Sequence, residues 1–236
     1  MDFALVFKHY QMILDGAVAS LMVTFGALSL GLVLGTVAGT CRISRRFAVR
    51  VAADTYIQII RGTPMLLQIY FFYFGIPQIY MMLTGDGLSP NPFLLGSIAL
   101  GINSGAYNAE IVRAGIQSIN PGQMEAARCS GLTHFQAMVF VILPQALKRM
   151  IPPFGNELVV LLKDSSLLSI IGVAELMFSA KVLGAKYYTY VPFLVGVGCI
   201  YLVMTFTFSR FFNYLEVRMA TGKNREKGGP AVLDLG

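Results

Sequence analysis

The chain alternates between long apolar segments and short polar ones, which is the pattern of a protein with several membrane-spanning helices. Four segments of at least 23 residues contain no charged side chain, and they cover residues 16–41, 62–85, 87–109 and 187–209. A spanning helix needs about 20 apolar residues, because the hydrocarbon core of a bilayer is about 30 Å thick. Each segment is therefore long enough to cross, and Pro64 is predicted to bend the second one.

The region between the third and the last of these segments is less regular. Its apolar runs are interrupted by Pro144, Glu157 and Glu175. We predict one polar span over about 147–164 and a short re-entrant or interfacial segment over 165–180. Five spans result, and the sequence therefore predicts an all-α membrane protein.

The basic residues predict the orientation of the five spans, because cytoplasmic segments are enriched in Lys and Arg. With the N terminus outside and the C terminus inside, 13 of the 18 basic residues fall in inner segments. These residues are Arg42, Arg45, Arg46, Arg50, Arg113, Arg128, Lys148, Arg149, Arg210, Arg218, Lys223, Arg225 and Lys227. A sixth span would place the basic tail and the earlier basic clusters on opposite sides.

Composition excludes several other classes of protein. Charged residues make up 13% of the chain, whereas a soluble domain carries about 25%. The net charge of +6 does not indicate nucleic-acid binding, because the basic residues lie in short runs between apolar blocks. The three cysteines have no metal-ligand or disulfide spacing, and no catalytic Ser/His/Asp or Cys/His pattern indicates a membrane enzyme.

We predict a single transmembrane domain over residues 1–220 and a polar, Gly-rich, disordered cytoplasmic tail over 221–236. In the first span Gly31, Gly35 and Gly39 lie four residues apart and share one face. Small faces let helix backbones approach closely in lipid. This face is predicted to pack against another helix of the chain or against a second subunit.

The inner loop before the fourth span contains signals for a short helix over about 121–131. Asn120 is a favourable N-cap, Pro121 suits the first helical position, Gln123 can close a capping box, and Gly131 can end the helix. Its face carries small side chains such as Ala126, which suit a groove in another protein better than lipid. An amphipathic connector at the membrane surface is the alternative.

Glu125-Ala126-Ala127, followed by Gly131 and later by Leu143-Pro144, resembles the EAA loop of ABC-importer permeases. Val141 stands at a position where that pattern has Ile. Further blocks over about residues 12–220 are similar to the polar amino acid permease family. These blocks are Arg61-Gly62-Thr63-Pro64, Ala106-Tyr107-Asn108-Ala109-Glu110, Leu143-Pro144-Gln145-Ala146 and Lys163-Asp164-Ser165-Ser166-Leu167.

The resemblance implies the transmembrane-domain architecture of a type I ABC importer in the bacterial inner membrane. It further implies a second permease subunit, identical or homologous, two ATP-binding subunits, and an external binding protein that delivers a polar amino acid. The residues implied in coupling to the ATPase are Glu125, Ala126, Ala127 and Gly131. The sequence contains no P-loop, so we expect neither enzymatic activity nor a cofactor in this chain, with ATP and Mg²⁺ bound by the partner.

Ionisable side chains within spans are costly and are usually functional. Glu157 and Asp164 are seven residues apart and therefore share a helix face. Together with polar residues of the third span they form the predicted substrate-binding set: Glu157, Asp164, Asn103, Ser104 and Tyr107. Two carboxylates favour a cationic or zwitterionic amino acid.

Other roles are open for these polar residues. Either carboxylate can instead pair with Arg61 or Lys163, and the residues of the third span can instead hydrogen-bond between helices. Arg61 is predicted within the second span, where it lines the inner vestibule or caps a broken helix, and Glu110 is predicted to pair with Arg113.

A gradient-driven transporter or channel, with Glu157 and Asp164 as proton or sodium sites, is the alternative function. The short chain, the lack of an internal repeat and the inner helix argue against it.

Overall fold

The computed structural model describes residues 3–220, and this part of the chain consists of helices and their connections, without a β-strand. Helices α1 to α5 are Ala4–Lys8, Tyr10–Arg42, Phe47–Arg61, Met65–Tyr70 and Ile76–Thr84. Helices α6 to α11 are Pro92–Gln117, Pro121–Cys129, His134–Ala137, Leu143–Asp164, Leu176–Lys186 and Val191–Ala220. The tail over 221–236, predicted to be disordered, lies outside the described residues.

Short irregular turns connect several of these helices. π-helical turns at Phe71–Gly75 and Met138–Ile142 join α4 to α5 and α8 to α9. A 3₁₀ segment, Ser165–Ile171, follows α9 and ends at Gly172, whose φ of 86° is a conformation that favours glycine.

Three helical stretches in the described part of the chain are long and apolar enough to cross a membrane: Tyr10–Arg42, Met65–Thr84 and Val191–Met219. A fourth is added if His134–Ile171 and Leu176–Lys186, which are bent by 45° at their junction, count as one broken span. Helix α6 has 26 residues and extends about 39 Å, which is also long enough to cross. Because α6 carries buried amides and hydroxyls, its hydropathy is lower than that of these spans. The all-helical membrane architecture is confirmed, whereas the count of five and the orientation of the termini stay predictions.

The centre of the fold is the packing of α2 along α6. A Cβ on Gly31 would lie 2.8 Å from Ser104 Cβ, and one on Gly39 would lie 2.7 Å from the Ala109 carbonyl oxygen. Only glycine allows this close approach of the two backbones. The glycine face predicted in the first span therefore packs within the chain, which was one of the two alternatives.

The second predicted span is divided differently from the prediction. A separate helix, α3, covers Phe47–Arg61, and the chain is extended at Pro64 before α4 begins. Proline disfavours helix in the residue before it, so the bend predicted at Pro64 is a complete break. The placement of Arg61 inside the span was wrong, because Arg61 is the last residue of α3 and precedes the spanning stretch.

The predicted re-entrant segment consists of the 3₁₀ segment and α10, and the Glu175 side chain anchors it. This carboxylate is fully buried and caps α10 by accepting hydrogen bonds from the N–H groups of Met177 at 2.8 Å and Phe178 at 2.7 Å. It also accepts from the Tyr201 hydroxyl at 2.9 Å and the Ser20 hydroxyl at 3.3 Å. One acidic side chain thus ties α10 to α2 and α11.

Candidate functional site

A polar cavity of about 230 Å³ lies where the start of α4 meets α6 and α9. Four of the five residues predicted to bind substrate line it, namely Asn103, Tyr107, Glu157 and Asp164. The other lining residues are Thr63, Met65 and Val160. Glu157 and Asp164 are seven residues apart in α9, so both carboxylates reach this cavity. Asn103 and Tyr107 are four residues apart in α6, so the amide and the phenol reach it as well.

The two carboxylates of the cavity have no cationic partner within residues 3–220. The ion pairs in this part of the chain join other residues, and neither Glu157 nor Asp164 takes part in one. Arg61, one of the two alternative partners, donates instead to Glu110 at 3.1 Å and lies 5.2 Å from the centre of the Tyr107 ring. Lys163, the other alternative, forms no ion pair with either acid, although its charge acts on the adjacent Asp164 carboxyl. The structure therefore leaves two acidic groups facing one cavity without a direct ion pair.

Ser104, the fifth predicted residue, does not line the cavity. Its side chain is fully buried against Gly31 of α2, and its hydroxyl accepts a hydrogen bond from the Asn108 amide at 3.1 Å. It also lies beside the Glu157 carboxyl. Ser104 thus contributes to helix packing at the back of the site, and its contact with a substrate stays a prediction.

Gln68 supports the cavity and was missed by the sequence analysis. Its amide nitrogen donates to the carbonyl oxygens of Ile60 at 2.7 Å and Thr63 at 3.1 Å, which the helix break leaves free. Its amide oxygen accepts from the Asn103 nitrogen at 2.9 Å. Gln68 therefore holds the break and fixes the orientation of Asn103. The available signal was a glutamine four residues after Pro64 in an otherwise apolar run.

A second acidic centre lies around Glu110, about one helical turn beyond Tyr107 on α6. Its carboxylate pairs with Arg113 at 2.8 Å, as predicted, and with Arg61 at 3.1 Å. Arg42 also pairs with Glu110, and it bridges to Asp54. Helices α2, α3 and α6 are therefore tied together here, and Glu110 acts structurally.

The short inner helix is present as α7, with its start and end close to those predicted. The Asn120 side chain accepts from the Gly122 N–H at 2.8 Å, and Gly131 follows the helix with a φ of 86°. The capping box predicted with Gln123 was wrong. The capping box forms instead at the start of α8, between Thr133 and Gln136.

The side chains of α7 face two environments. Ala127 is 7% exposed and packs against the chain itself, whereas Glu125, Ala126 and Gly131 are exposed. Met124 joins a hydrophobic cluster with residues at the start of α9, which holds α7 in place. A partner could therefore reach Glu125, Ala126 and Gly131 directly, but not Ala127.

The described residues contain no group of three or more His, Cys, Asp or Glu side chains that could hold a metal ion. The chemistry that the cavity offers is therefore that of its amide, hydroxyl and carboxylate groups. These groups bind cations and hydrogen-bond donors and acceptors.

Comparison with known proteins identifies the class of membrane protein. The model of one family, described as a binding-protein-dependent transport system inner membrane component, matches residues 31–221. The chain belongs to this family. The permease is also 38% identical over 219 residues to the probable glutamine ABC transporter permease protein GlnM of Bacillus subtilis (strain 168), covering 93% of this chain and 98% of the relative.

Two further relatives support the same conclusion. The arginine transport system permease protein ArtQ of Bacillus subtilis (strain 168) is 37% identical over 204 residues, covering 86% of the permease and 90% of ArtQ. A solved structure described as an amino acid ABC transporter with histidines is 39% identical, with a TM-score of 0.84 over 92% of the permease and 99% of that chain. The resemblance to ABC-importer permeases and the type I fold are thus confirmed, and the gradient-driven alternative is not supported.

Proposed function

We propose that this permease carries an amino acid with a cationic side chain across the bacterial inner membrane. The observation that carries the proposal is the pair of carboxylates, Glu157 and Asp164, facing one cavity without a basic side chain among its lining residues. An uncompensated negative charge within a membrane protein is costly unless a ligand balances it. Relatives named for glutamine and for arginine transport place the chemistry among polar amino acids.

In this proposal each carboxylate meets one positive group of the substrate. One balances the α-ammonium, and the other balances the cationic side chain. The Asn103 amide and the Tyr107 hydroxyl are left for the substrate carboxylate, whereas the Thr63 hydroxyl already donates to the Ile59 carbonyl oxygen at 2.9 Å. Ser104 supports the site from behind. A neutral side chain such as that of glutamine would leave one carboxylate of the cavity unbalanced.

Energy for transport comes from ATP bound with Mg²⁺ in two partner ATPases, which the similarity to ABC transporter permeases supports, since this chain has no P-loop with which to bind ATP itself. The exposed residues Glu125, Ala126 and Gly131 of the α7 region make the contact, and Ala127 shapes it from the buried side. A second permease subunit completes the pathway, and an external binding protein delivers the amino acid. The basic ends of α2 and α6 face the cytoplasm, as the distribution of Lys and Arg indicates.

The substrate is tested by purifying the permease with its ATPase and binding protein and reconstituting the complex in proteoliposomes. We expect ATP-dependent uptake of labelled arginine to exceed that of labelled glutamine by at least about tenfold, because one charge is unbalanced with glutamine. Preferred uptake of glutamine would overturn the cationic assignment. Uptake driven by an ion gradient without ATP would overturn the ATP-driven mechanism.

Coupling through α7 is tested with Ala126→Trp, which adds bulk at an exposed position and leaves the fold of the chain intact. We expect the ATPase to co-purify poorly and uptake to fall by at least about tenfold, because a partner groove shaped for small side chains cannot accept tryptophan. The control is Leu202→Trp, at an exposed apolar position of α11. Equal uptake by both variants would contradict the role of α7.

A further inference from the structure

A second, apolar cavity lies on the outer surface of the helix pair α2 and α3, away from the polar cavity. Its volume is about 420 Å³, and no charged side chain lines it. We call it the α2–α3 groove, and its side chains are Leu34, Val37, Ala38, Cys41, Val49, Ala52, Ala53 and Tyr56. The Tyr56 hydroxyl donates to the carbonyl oxygen of Ile102 at 2.6 Å, so the polar end of this side chain is satisfied away from the groove.

Three arginines lie on either side of the start of α3, close in sequence to Val49 of the groove. Arg45, Arg46 and Arg50 are exposed, and none of them forms an ion pair within residues 3–220. Val49, Ala53 and Tyr56 share one face of α3, and Arg46 is the N-cap residue directly before the first turn of this helix. The nearby acids are already engaged, since Asp54 and Glu110 pair with Arg42, Arg61 and Arg113.

A groove without polar groups, ending at three unpaired cations, matches an amphiphile that carries one negative charge and a hydrocarbon chain. Phe47 and Val51, on the exposed surface of α3, are 71% and 42% exposed, so apolar side chains alternate with the arginines. This mixture is typical of a helix at the membrane surface. Arginines beside the bilayer attract anionic headgroups, and the planar guanidinium pairs well with phosphate.

A second copy of the chain is a poorer occupant of the same surface. A twofold contact centred here would bring two sets of Arg45, Arg46 and Arg50 together without an unpaired acid near them. Like charges at close range oppose such an interface. The charge balance favours an anionic lipid.

We propose that the α2–α3 groove binds one anionic phospholipid, with an acyl chain against Val37 and Ala53 and the phosphate against Arg45, Arg46 and Arg50. A lipid bound there covers the junction between α2 and α3. Helix α3 carries Arg61 and ends at the helix break before the polar cavity. The site is separate from the substrate cavity, and the proposal does not depend on which amino acid the permease carries.

The absence of tryptophan from this chain provides a direct assay. Val37→Trp places one fluorophore in the groove, and Met22→Trp places one in a similar apolar groove of about 270 Å³ on the other half of α2, whose lining has no charged residue. Each full-length variant is reconstituted in phosphatidylcholine vesicles that contain a graded fraction of brominated phosphatidylglycerol, or of brominated phosphatidylcholine as reference. Quenching reports which lipid contacts each groove.

At Val37→Trp we expect the relative binding of phosphatidylglycerol to exceed that of phosphatidylcholine by at least about fivefold. At Met22→Trp we expect the two lipids to quench equally. Arg45→Gln with Arg46→Gln should remove the preference, whereas the charge-matched control, Arg210→Gln with Arg218→Gln in α11, should keep it. Equal quenching by the two lipids at Val37→Trp would overturn the proposal. Protection of Val37→Trp from both lipids while Met22→Trp is quenched would also overturn it, because protein would then cover the groove.

Discussion

The two acidic centres beside α6 differ in how their negative charge is balanced. Glu110, about one turn beyond Tyr107, pairs with three arginines from α2, α3 and α6. Glu157 and Asp164 at the polar cavity lie beside amide and hydroxyl groups and pair with no cation within the described residues. A carboxylate that is paired by the protein holds helices together, whereas one that faces a cavity unpaired is available to a ligand.

The role of an acidic residue in a membrane segment depends on the basic residues around it and not only on its own position in the sequence. Glu157 follows Asn156 directly and Glu110 comes two residues after Asn108, so each acid stands near an amide in a membrane helix. Arg42 and Arg113 reach Glu110, and Arg61, one of the two alternative partners of the cavity acids, pairs with the same group. The position of the arginines therefore decides which acid is structural and which can bind.

The largest expected effect is that of Glu110→Gln on stability. Removing one partner of a fully buried ion pair costs about 3–5 kcal/mol. Because the Glu110 side chain is 22% exposed, we expect a loss at the lower end of this range, about 3 kcal/mol, with three arginines left facing one another. The measurement is the temperature at which detergent-purified permease loses its monodisperse peak, with Glu216→Gln, at an exposed position of α11, as control. Equal midpoints for the two variants would show that Glu110 is not structural.

Glu175→Gln tests a third acid, which is balanced by neutral donors. A glutamine keeps one acceptor oxygen but places an NH₂ group among donors that include the Met177 N–H and the Tyr201 hydroxyl. Leaving buried polar groups unpaired costs about 1–3 kcal/mol, so we expect a loss of about 2 kcal/mol. The same thermal assay checks this value, and Glu175→Asp is the variant that keeps the charge. A midpoint unchanged by Glu175→Gln would show that α10 is held by apolar packing alone.

Glu157→Gln should differ from the two preceding variants, because we expect it to impair transport and to leave the thermal stability unchanged. We expect ATP-dependent uptake of arginine to fall about tenfold, or about 1.4 kcal/mol, because one charge contact with the substrate is lost. The folded amount and the thermal midpoint should stay within the range of Glu216→Gln. Parallel loss of folded protein and of uptake would show that Glu157 is a structural residue like Glu110.

Arg61→Gln should have the smallest effect on stability. Its side chain is 42% exposed, and exposed ion pairs contribute at most about 1 kcal/mol. Glu110 keeps Arg42 and Arg113 in this variant, so we expect a loss below about 1 kcal/mol in the thermal assay. A loss as large as that of Glu110→Gln would mean that the three arginines are not interchangeable around this carboxylate.

Most elements of the fold could be predicted from the sequence, and the errors have local causes. Charge-free stretches identified the long helices, and Asn120, Pro121 and Gly131 bounded α7. Helix α3 was missed because the basic residues from Arg42 to Arg50 were counted only as an inner segment between two spans. The position of Arg61 was then shifted into a span that begins only after Pro64.

The candidate site could be predicted only in part, because helical spacing shows which residues share a face but not which face meets the cavity. Helical spacing places Glu157 and Asp164 on one face and Asn103 and Tyr107 on another, and the structure brings these faces to one cavity. Ser104, next to Asn103 in sequence, turns towards Gly31 of α2 instead. Neighbouring positions on a helix differ by about 100°, so only the packing partner decides which polar side chain reaches the cavity.

The sequence by itself determined the membrane class, the helical secondary structure, the inner helix and the two acidic residues of α9. These features depend on local composition and on spacing within one helix, which the chain carries without reference to other segments. Tertiary structure alone decided that Gln68 holds the break before α4, that Glu175 ties α10 to α2 and α11, and that three arginines converge on Glu110. Those contacts join residues up to 155 positions apart, and hydrogen bonds and ion pairs form only where packing brings the groups within about 3 Å.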